Sequence, residues 1–191
     1  MAALWLVRHA PPLVAPGTCY GRLDLPADPL RTRQAAGALA AAIPPGFALV
    51  SSPLQRCRHL AEAIAALRPE LPLRQDARLA EMDFGAWEGQ SWSALGAAAL
   101  APWTADFAHF APGGGETVTA FMARVRAALA DCRQRDSVWV THAGVIRAVG
   151  LLRQGKHSVV SAGEWPTGDI AHGGWTVAEP DTRPDPQARP D

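Results

Sequence analysis

The chain has 191 residues, 48% of them hydrophobic, and its 18 basic and 18 acidic side chains cancel. That length suits one domain able to bury roughly 70% of the surface of the unfolded chain. A net charge of zero points away from nucleic acid or an acidic membrane as partner.

No apolar run is long enough to span a bilayer. Three scattered cysteines, Cys19, Cys57 and Cys132, form neither a Cys-x-x-Cys pair nor a zinc spacing. A disulfide framework and a metal site are therefore not expected, and a reducing compartment is. Residues 2–7 are too few, and lack the basic lead-in, for a signal peptide. A soluble, cytoplasmic protein is expected. Lys156 is the only lysine, which reads as the coding bias of a GC-rich genome.

In chain order, residues 3–7 read as a buried parallel strand, apolar throughout. Residues 10–30 form a long Pro- and Gly-rich loop that carries Tyr20, Gly21, Arg22 and Asp24, and long loops in compact domains tend to be functional. Asp28-Pro29 has the form of an N-cap followed by a first helical residue. The helix runs to about Ala42, and Pro44-Pro45-Gly46 stops it. Residues 47–50 are a second strand. Ser52-Pro53 opens a second helix, to about Leu67, and residues 71–73 read as a short third strand. Residues 81–90 are a loop, and 91–110 a helix interrupted at Pro102. After the break at Pro112-Gly113-Gly114-Gly115, a long amphipathic helix starts at Glu116 and ends near Arg133. Residues 137–140 are a strand, 143–153 a helix and 170–177 a last strand. Residues 180–191, rich in proline and charge, are expected to fray. Strands alternating with helices predict a three-layer α/β/α fold around a mostly parallel sheet. One domain is expected over residues 1–179, with residues 80–112 inserted as a cap over the sheet edge.

Three of these strands end in polar residues and run straight into a loop or helix, where open α/β sheets place their chemistry. The first brings Arg8 and His9, the second Arg56, and the third His142. A carboxylate, Glu81, lies between them in sequence. Two arginines, two imidazoles and a carboxylate are the parts of a metal-free phosphoryl-transfer site. A neutral imidazole can attack phosphorus near pH 7. Guanidinium forks grip phosphoryl oxygens, and a carboxylic acid can protonate the leaving oxygen. His9 suits the nucleophile and Arg8 a phosphate clamp. Arg56, in the first turn of its helix, can share an anion with the helix N-terminus. Gly144 permits close backbone approach to an anion. Asp83 and Glu88 rival Glu81 as the acid, and local spacing does not choose among the three. Phe84, Trp87, Trp92, Trp103, Phe107 and Phe110 crowd into one stretch, as a packed cap core or as a wall that stacks on an aromatic leaving group. Gly113 to Gly115 is not a P-loop. Neither the cysteine-phosphatase spacing nor a Gly-x-Ser-x-Gly elbow occurs.

These motifs resemble the histidine phosphatase superfamily, the phosphoglycerate-mutase-like group. Arg8-His9-Ala10 is similar to its Arg-His-Gly signature, and the stretch from Ser51 to Cys57 to its Ser-x-Leu-x-Arg-Ala helix start. The stretch from Leu79 to Gly89 is similar to its Leu-x-Glu-x-x-Phe-Gly-x-Trp-Glu-Gly segment. Gly115-Glu116-Thr117 matches its Gly-Glu-Ser element, and the stretch from Val140 to Val145 its second-histidine motif. The resemblance implies a phosphoglycerate-mutase-like fold and a phosphomonoester hydrolase that works through a phosphohistidine. His9 would be phosphorylated, Arg8, Arg56 and His142 would hold the phosphoryl oxygens, and Glu81 would be the proton donor. It implies no metal or organic cofactor, and a small phosphorylated metabolite as substrate.

The chain departs from that pattern just after His9. Ala10 replaces the signature glycine, Pro11-Pro12 replaces an acidic or hydroxyl residue, and the loop holds no asparagine. The stretch from Gly17 to Asp24 looks closer to the α-ribazole phosphatase branch, which acts in cobalamin nucleotide-loop assembly. In that reading Gly21, Arg22 and Trp87 are substrate-binding candidates. The alternatives are a broad-specificity phosphatase, a phosphoglycerate-type mutase and a non-catalytic phospho-ligand binder. Oligomeric state is not encoded in any of these features.

Overall fold

A computed structural model of the chain describes residues 2–132, 135–168 and 170–178. The expected fraying at residues 180–191 lies outside the described residues. Five strands, β1 (Leu4–Arg8), β2 (Ala48–Ser51), β3 (Leu73–Gln75), β4 (Ser137–Thr141) and β5 (Trp175–Ala178), form one sheet in the order β3-β2-β4-β1-β5. The first four are mutually parallel, and β5 lies antiparallel against β1. Helices α1 (Pro29–Ala42) and α2 (Gln55–Leu67) cover one face, and α4 (Val118–Asp131) and α5 (Ala143–Arg153) the other. The architecture is the three-layer α/β/α fold expected from the strand–helix alternation.

Alternation along the strands divides the core. Leu4, Leu6, Val50 and Trp139 face α4 and α5, packed with Phe121, Met122, Val125 and Val149. Val7, Leu49, Val138 and Val140 face α1 and α2, packed with Leu39, Leu60 and Ile64. Period-2 side-chain alternation produces the split, and both faces are apolar because helices cover both. Each large side chain sealed this way contributes about 1.5–3 kcal/mol.

The register positions the chemistry. Arg8 pairs with Thr141 and Ser51 with Val140, so β1, β2 and β4 end at one level. His9 N donates to Thr141 O (3.1 Å) and Ser52 N to Val140 O (3.0 Å), which locks the three strand exits together.

Several element ends differ from expectation. Asp28 does cap α1, accepting from Arg31 N at 2.9 Å. Helix α2, however, starts at Gln55, two residues after Pro53, because Asp24 in the long loop takes the Gln55 N–H at 2.6 Å. Asp24 therefore occupies that N–H of the helix end. Helix α3 (Trp92–Ala105) breaks at Gly96, where φ is 71°, whereas Pro102 lies inside its helical run. Helix α4 begins at Val118, capped by Thr117, because the Glu116 carboxylate is drawn away to Arg124. Strands β3 and β5 start later than predicted, at Leu73 and Trp175.

Candidate active site

His9 is buried at the exit of β1, and its ring is held at both nitrogens. Nδ1 lies 2.7 Å from Ala10 O, and Arg56 Nε donates to Nε2 at 3.3 Å. A carbonyl can only accept and a guanidinium can only donate. The proton therefore sits on Nδ1 and the lone pair on Nε2. Burial first, and then the Arg56 charge, push the His9 pKa well below its usual 6.5. The imidazole is neutral and ready to act as a nucleophile near pH 7.

Arg56 is fully buried on the first turn of α2. Its Nη1 donates to Leu23 O (2.8 Å) and its Nη2 to Gly21 O (2.6 Å), so the long loop aims the fork at His9. Gly21 fits closely here: a β-carbon would lie 1.8 Å from Met82 O. Arg8 donates from Nη1 to Ile170 O at 2.9 Å. His142, also fully buried, stands at the exit of β4 with its ring centroid 5.1 Å from that of His9. Its Nε2 hydrogen-bonds with Ser52 Oγ at 2.8 Å. Its pKa too is held well below 6.5, by burial first and then by the Arg56 charge.

The structure separates the three rival carboxylates. Glu88 accepts from Arg22 N, Leu23 N and Phe84 N, and so staples the long loop to the segment after Glu81. Asp83 accepts from Gly85 N at 2.8 Å and closes a local turn. Glu81 reaches the site instead, accepting from Gly144 N (3.0 Å) and Met82 N (3.1 Å). Burial raises its pKa above 4.5, and the two N–H donors partly oppose that shift. A β-carbon on Gly144 would lie 2.2 Å from Glu81 Oε1. The group that Gly144 admits in this structure is the Glu81 carboxyl.

Sequence reasoning missed the groups that hold Glu81 in place. Arg124 on α4 donates to Arg78 O (2.8 Å), Ala80 O (2.7 Å) and Glu81 O (3.0 Å), while Glu116 pairs with its Nε at 2.7 Å. Thr141 Oγ1 donates to Leu79 O at 2.7 Å. A Glu eight residues before an Arg, on one helix and its lead-in, was the available signal.

Glu81 and Gly144 border a cavity of about 660 Å³. Its walls include Tyr20, Phe84, Trp92, Trp103, Phe107, Trp165 and, as a cation, Arg147. Trp92 and Trp103 stack at 6.5 Å with 15° between planes, Trp103 stacks on Phe107 at 5.4 Å, and Phe84 meets both tryptophans edge-on. Trp87, expected in this wall, is buried behind it with its rings against Trp92 and Trp103, and does not line the cavity. Arg22 is exposed, and its backbone N–H is what Glu88 holds. Among the described residues no group of three or more His, Cys, Asp or Glu could hold a metal ion, and no helix is long and apolar enough to cross a membrane.

The model of the histidine phosphatase superfamily (branch 1) matches residues 4–178. The chain belongs to this family. Among solved structures it is similar to phosphoglycerate mutase from Thermus thermophilus, at 33% identity and a TM-score of 0.70, covering 92% of this chain and 91% of that one. It is also similar to mycobacterial glucosyl-3-phosphoglycerate phosphatase, at 27% identity and a TM-score of 0.75, covering 92% and 89%. The latter protein in complex with inorganic phosphate matches at 26% identity and a TM-score of 0.74, covering 93% and 89%. No curated protein sequence matches the chain. As a histidine phosphatase the chain is a phosphoric monoester hydrolase.

Proposed function

We propose that this histidine phosphatase hydrolyses the phosphate monoester of an alcohol that carries a planar aromatic ring, through a phosphohistidine on His9, with α-ribazole phosphate as the best-fitting substrate. The observation that carries the reaction is the state of His9: Nδ1–H on Ala10 O, and the Nε2 lone pair facing the Arg56 guanidinium. His9 Nε2 attacks phosphorus, and the ester P–O bond breaks. Arg8, Arg56 and His142 hold the phosphoryl oxygens, a preorganised positive setting for developing charge. Glu81, protonated, gives its proton to the leaving oxygen. The Glu81 carboxylate then takes a proton from water, whose oxygen attacks phospho-His9. The P–N bond breaks, and inorganic phosphate leaves with His9 restored. Arg56 must release His9 Nε2 and turn to the phosphoryl group as the substrate enters.

The substrate reading is supported by the cavity. Its stacked Trp92, Trp103 and Phe107 offer flat apolar surface beside Glu81, which suits a benzimidazole-like ring better than a sugar or glycerate. Residues 80–112 act as a cap that supplies this wall. The resemblance of the stretch from Gly17 to Asp24 to α-ribazole phosphatases points the same way. Likeness to a phosphoglycerate mutase favours one alternative, retransfer of phosphate to the product.

Acid-labile labelling of the chain by a radioactive phosphoester, lost in His9→Ala, tests the intermediate. A chain that neither labels nor releases phosphate from any ester is a binder and not a catalyst. Phosphate release from α-ribazole phosphate, glucosyl-3-phosphoglycerate and 3-phosphoglycerate, with product analysis for transfer, ranks the substrates.

A further inference from the structure

The turn before β5 is fastened to the end of β1. Gly173 N donates to both Arg8 O and His9 O, each at 3.0 Å, and Arg8 N donates to Gly174 O at 3.0 Å. Arg8 Nη1 adds a bond to Ile170 O at 2.9 Å. This fastening delivers His172, whose ring centroid lies 5.4 Å from that of His9 at a 49° tilt. His9 thus has two imidazole neighbours at similar range, His142 at 5.1 Å and His172 at 5.4 Å.

The loop that follows His9 is poor in donors. Pro11 and Pro12 carry no N–H, and the Ala10 carbonyl is engaged with His9 Nδ1. A phosphoryl group on His9 Nε2 presents three oxygens in a space walled by low-dielectric core. An oxygen left without a donor there is costly, and a positioned N–H is worth more than it would be in water. An imidazole carries at least one N–H in either protonation state. His172 is half-buried with its ring beside that of His9, on a turn tied by backbone hydrogen bonds to Arg8 and His9.

We propose that His172 is a further ligand of the phosphoryl group on His9, supplying one N–H in place of those that the Pro11-Pro12 stretch lacks. The proposal rests on His9 being the nucleophile. It assigns the 170–174 turn a share of the phosphate grip, alongside its structural role of leading into β5.

The test compares the full chain with its His172→Ala and His172→Gln variants. The readouts are kcat and KM on p-nitrophenyl phosphate, inhibition by orthovanadate, and Tm. His172→Ala is expected to lower kcat/KM about 100-fold, mostly in kcat, and to weaken vanadate inhibition by a similar factor while Tm holds. His172→Gln keeps an N–H donor and is expected to recover much of both losses. Unchanged kcat/KM and vanadate inhibition in His172→Ala would overturn the proposal. So would equal losses in both variants that follow a fall in Tm. A wild-type chain that does not label on His9 overturns the His9 reading itself, whereas labelling with vanadate inhibition indifferent to His172 overturns only this inference.

Discussion

Arg56 Nε donates to His9 Nε2 across 3.3 Å, and both side chains are sealed from solvent. The proposed clamp therefore rests on the proposed attacking atom. Replacing it tests both of its duties. Arg56→Met is expected to lower kcat/KM by about 10²–10³, with little recovery in Arg56→Lys, because an ammonium cannot span Leu23 O, Gly21 O and the phosphoryl group as a fork does. The His9 pKa should rise in Arg56→Met, since the Arg56 charge is the second cause of its depression after burial. An NMR titration of His9 that does not move would contradict the assignment.

The pH profile has two limbs of known sign. As the proposed nucleophile His9 must be deprotonated, and its pKa lies well below 6.5. The acid-side loss of kcat/KM should therefore come only below that value. As the proposed acid Glu81 must be protonated in the first step, and burial raises its pKa above 4.5. Activity should then fall as pH rises through that raised value. Glu81→Gln is expected to lose the alkaline limb, keep the acid one, and lower kcat about 10²–10⁴-fold with a poor leaving group. An intact alkaline limb in that variant would place the acid elsewhere.

Gly144→Ala puts a methyl group where Glu81 Oε1 sits, at 2.2 Å. The carboxylate must move, losing its bond from Gly144 N. The expected result is a loss of kcat approaching that of Glu81→Gln, and a lower Tm. Because the clash is with Glu81 itself, the Tm penalty should largely vanish in the Glu81→Ala background. Additive penalties would point to a different cause.

Trp103→Ala opens the aromatic wall, whereas Trp87→Ala removes a buried ring behind it. Stacking worth about 1 kcal/mol corresponds to roughly fivefold. Trp103→Ala should therefore raise KM for an aryl phosphate several-fold more than for a small alkyl phosphate. Trp87→Ala should lower Tm with less discrimination between the two. Equal effects of Trp103→Ala on both esters would remove the support for an aromatic ring on the leaving alcohol.

Most of the layered fold is legible in the chain. Residues 3–7, 47–50 and 137–140 announce buried strands by unbroken apolar character, and Asp28-Pro29 announces α1. The misplaced ends share a cause: a distant partner displaced the local signal. Asp24 took the first N–H of α2, and Arg124 took Glu116 from the start of α4. Glycine, not proline, set the break in α3.

By itself, the sequence determined that arginine and imidazole side chains stand at the ends of parallel strands, and with that the family and its phosphoryl chemistry. Those signals are short-range, since a strand exit and its polar residues are contiguous in the chain. Only the tertiary structure gave Asp83 and Glu88 their backbone N–H partners away from Gly144, moved Trp87 out of the cavity wall, and brought His172 beside His9 from 163 positions away. Those choices depend on strand register and on hydrogen bonds between distant segments. No periodicity or local spacing encodes them.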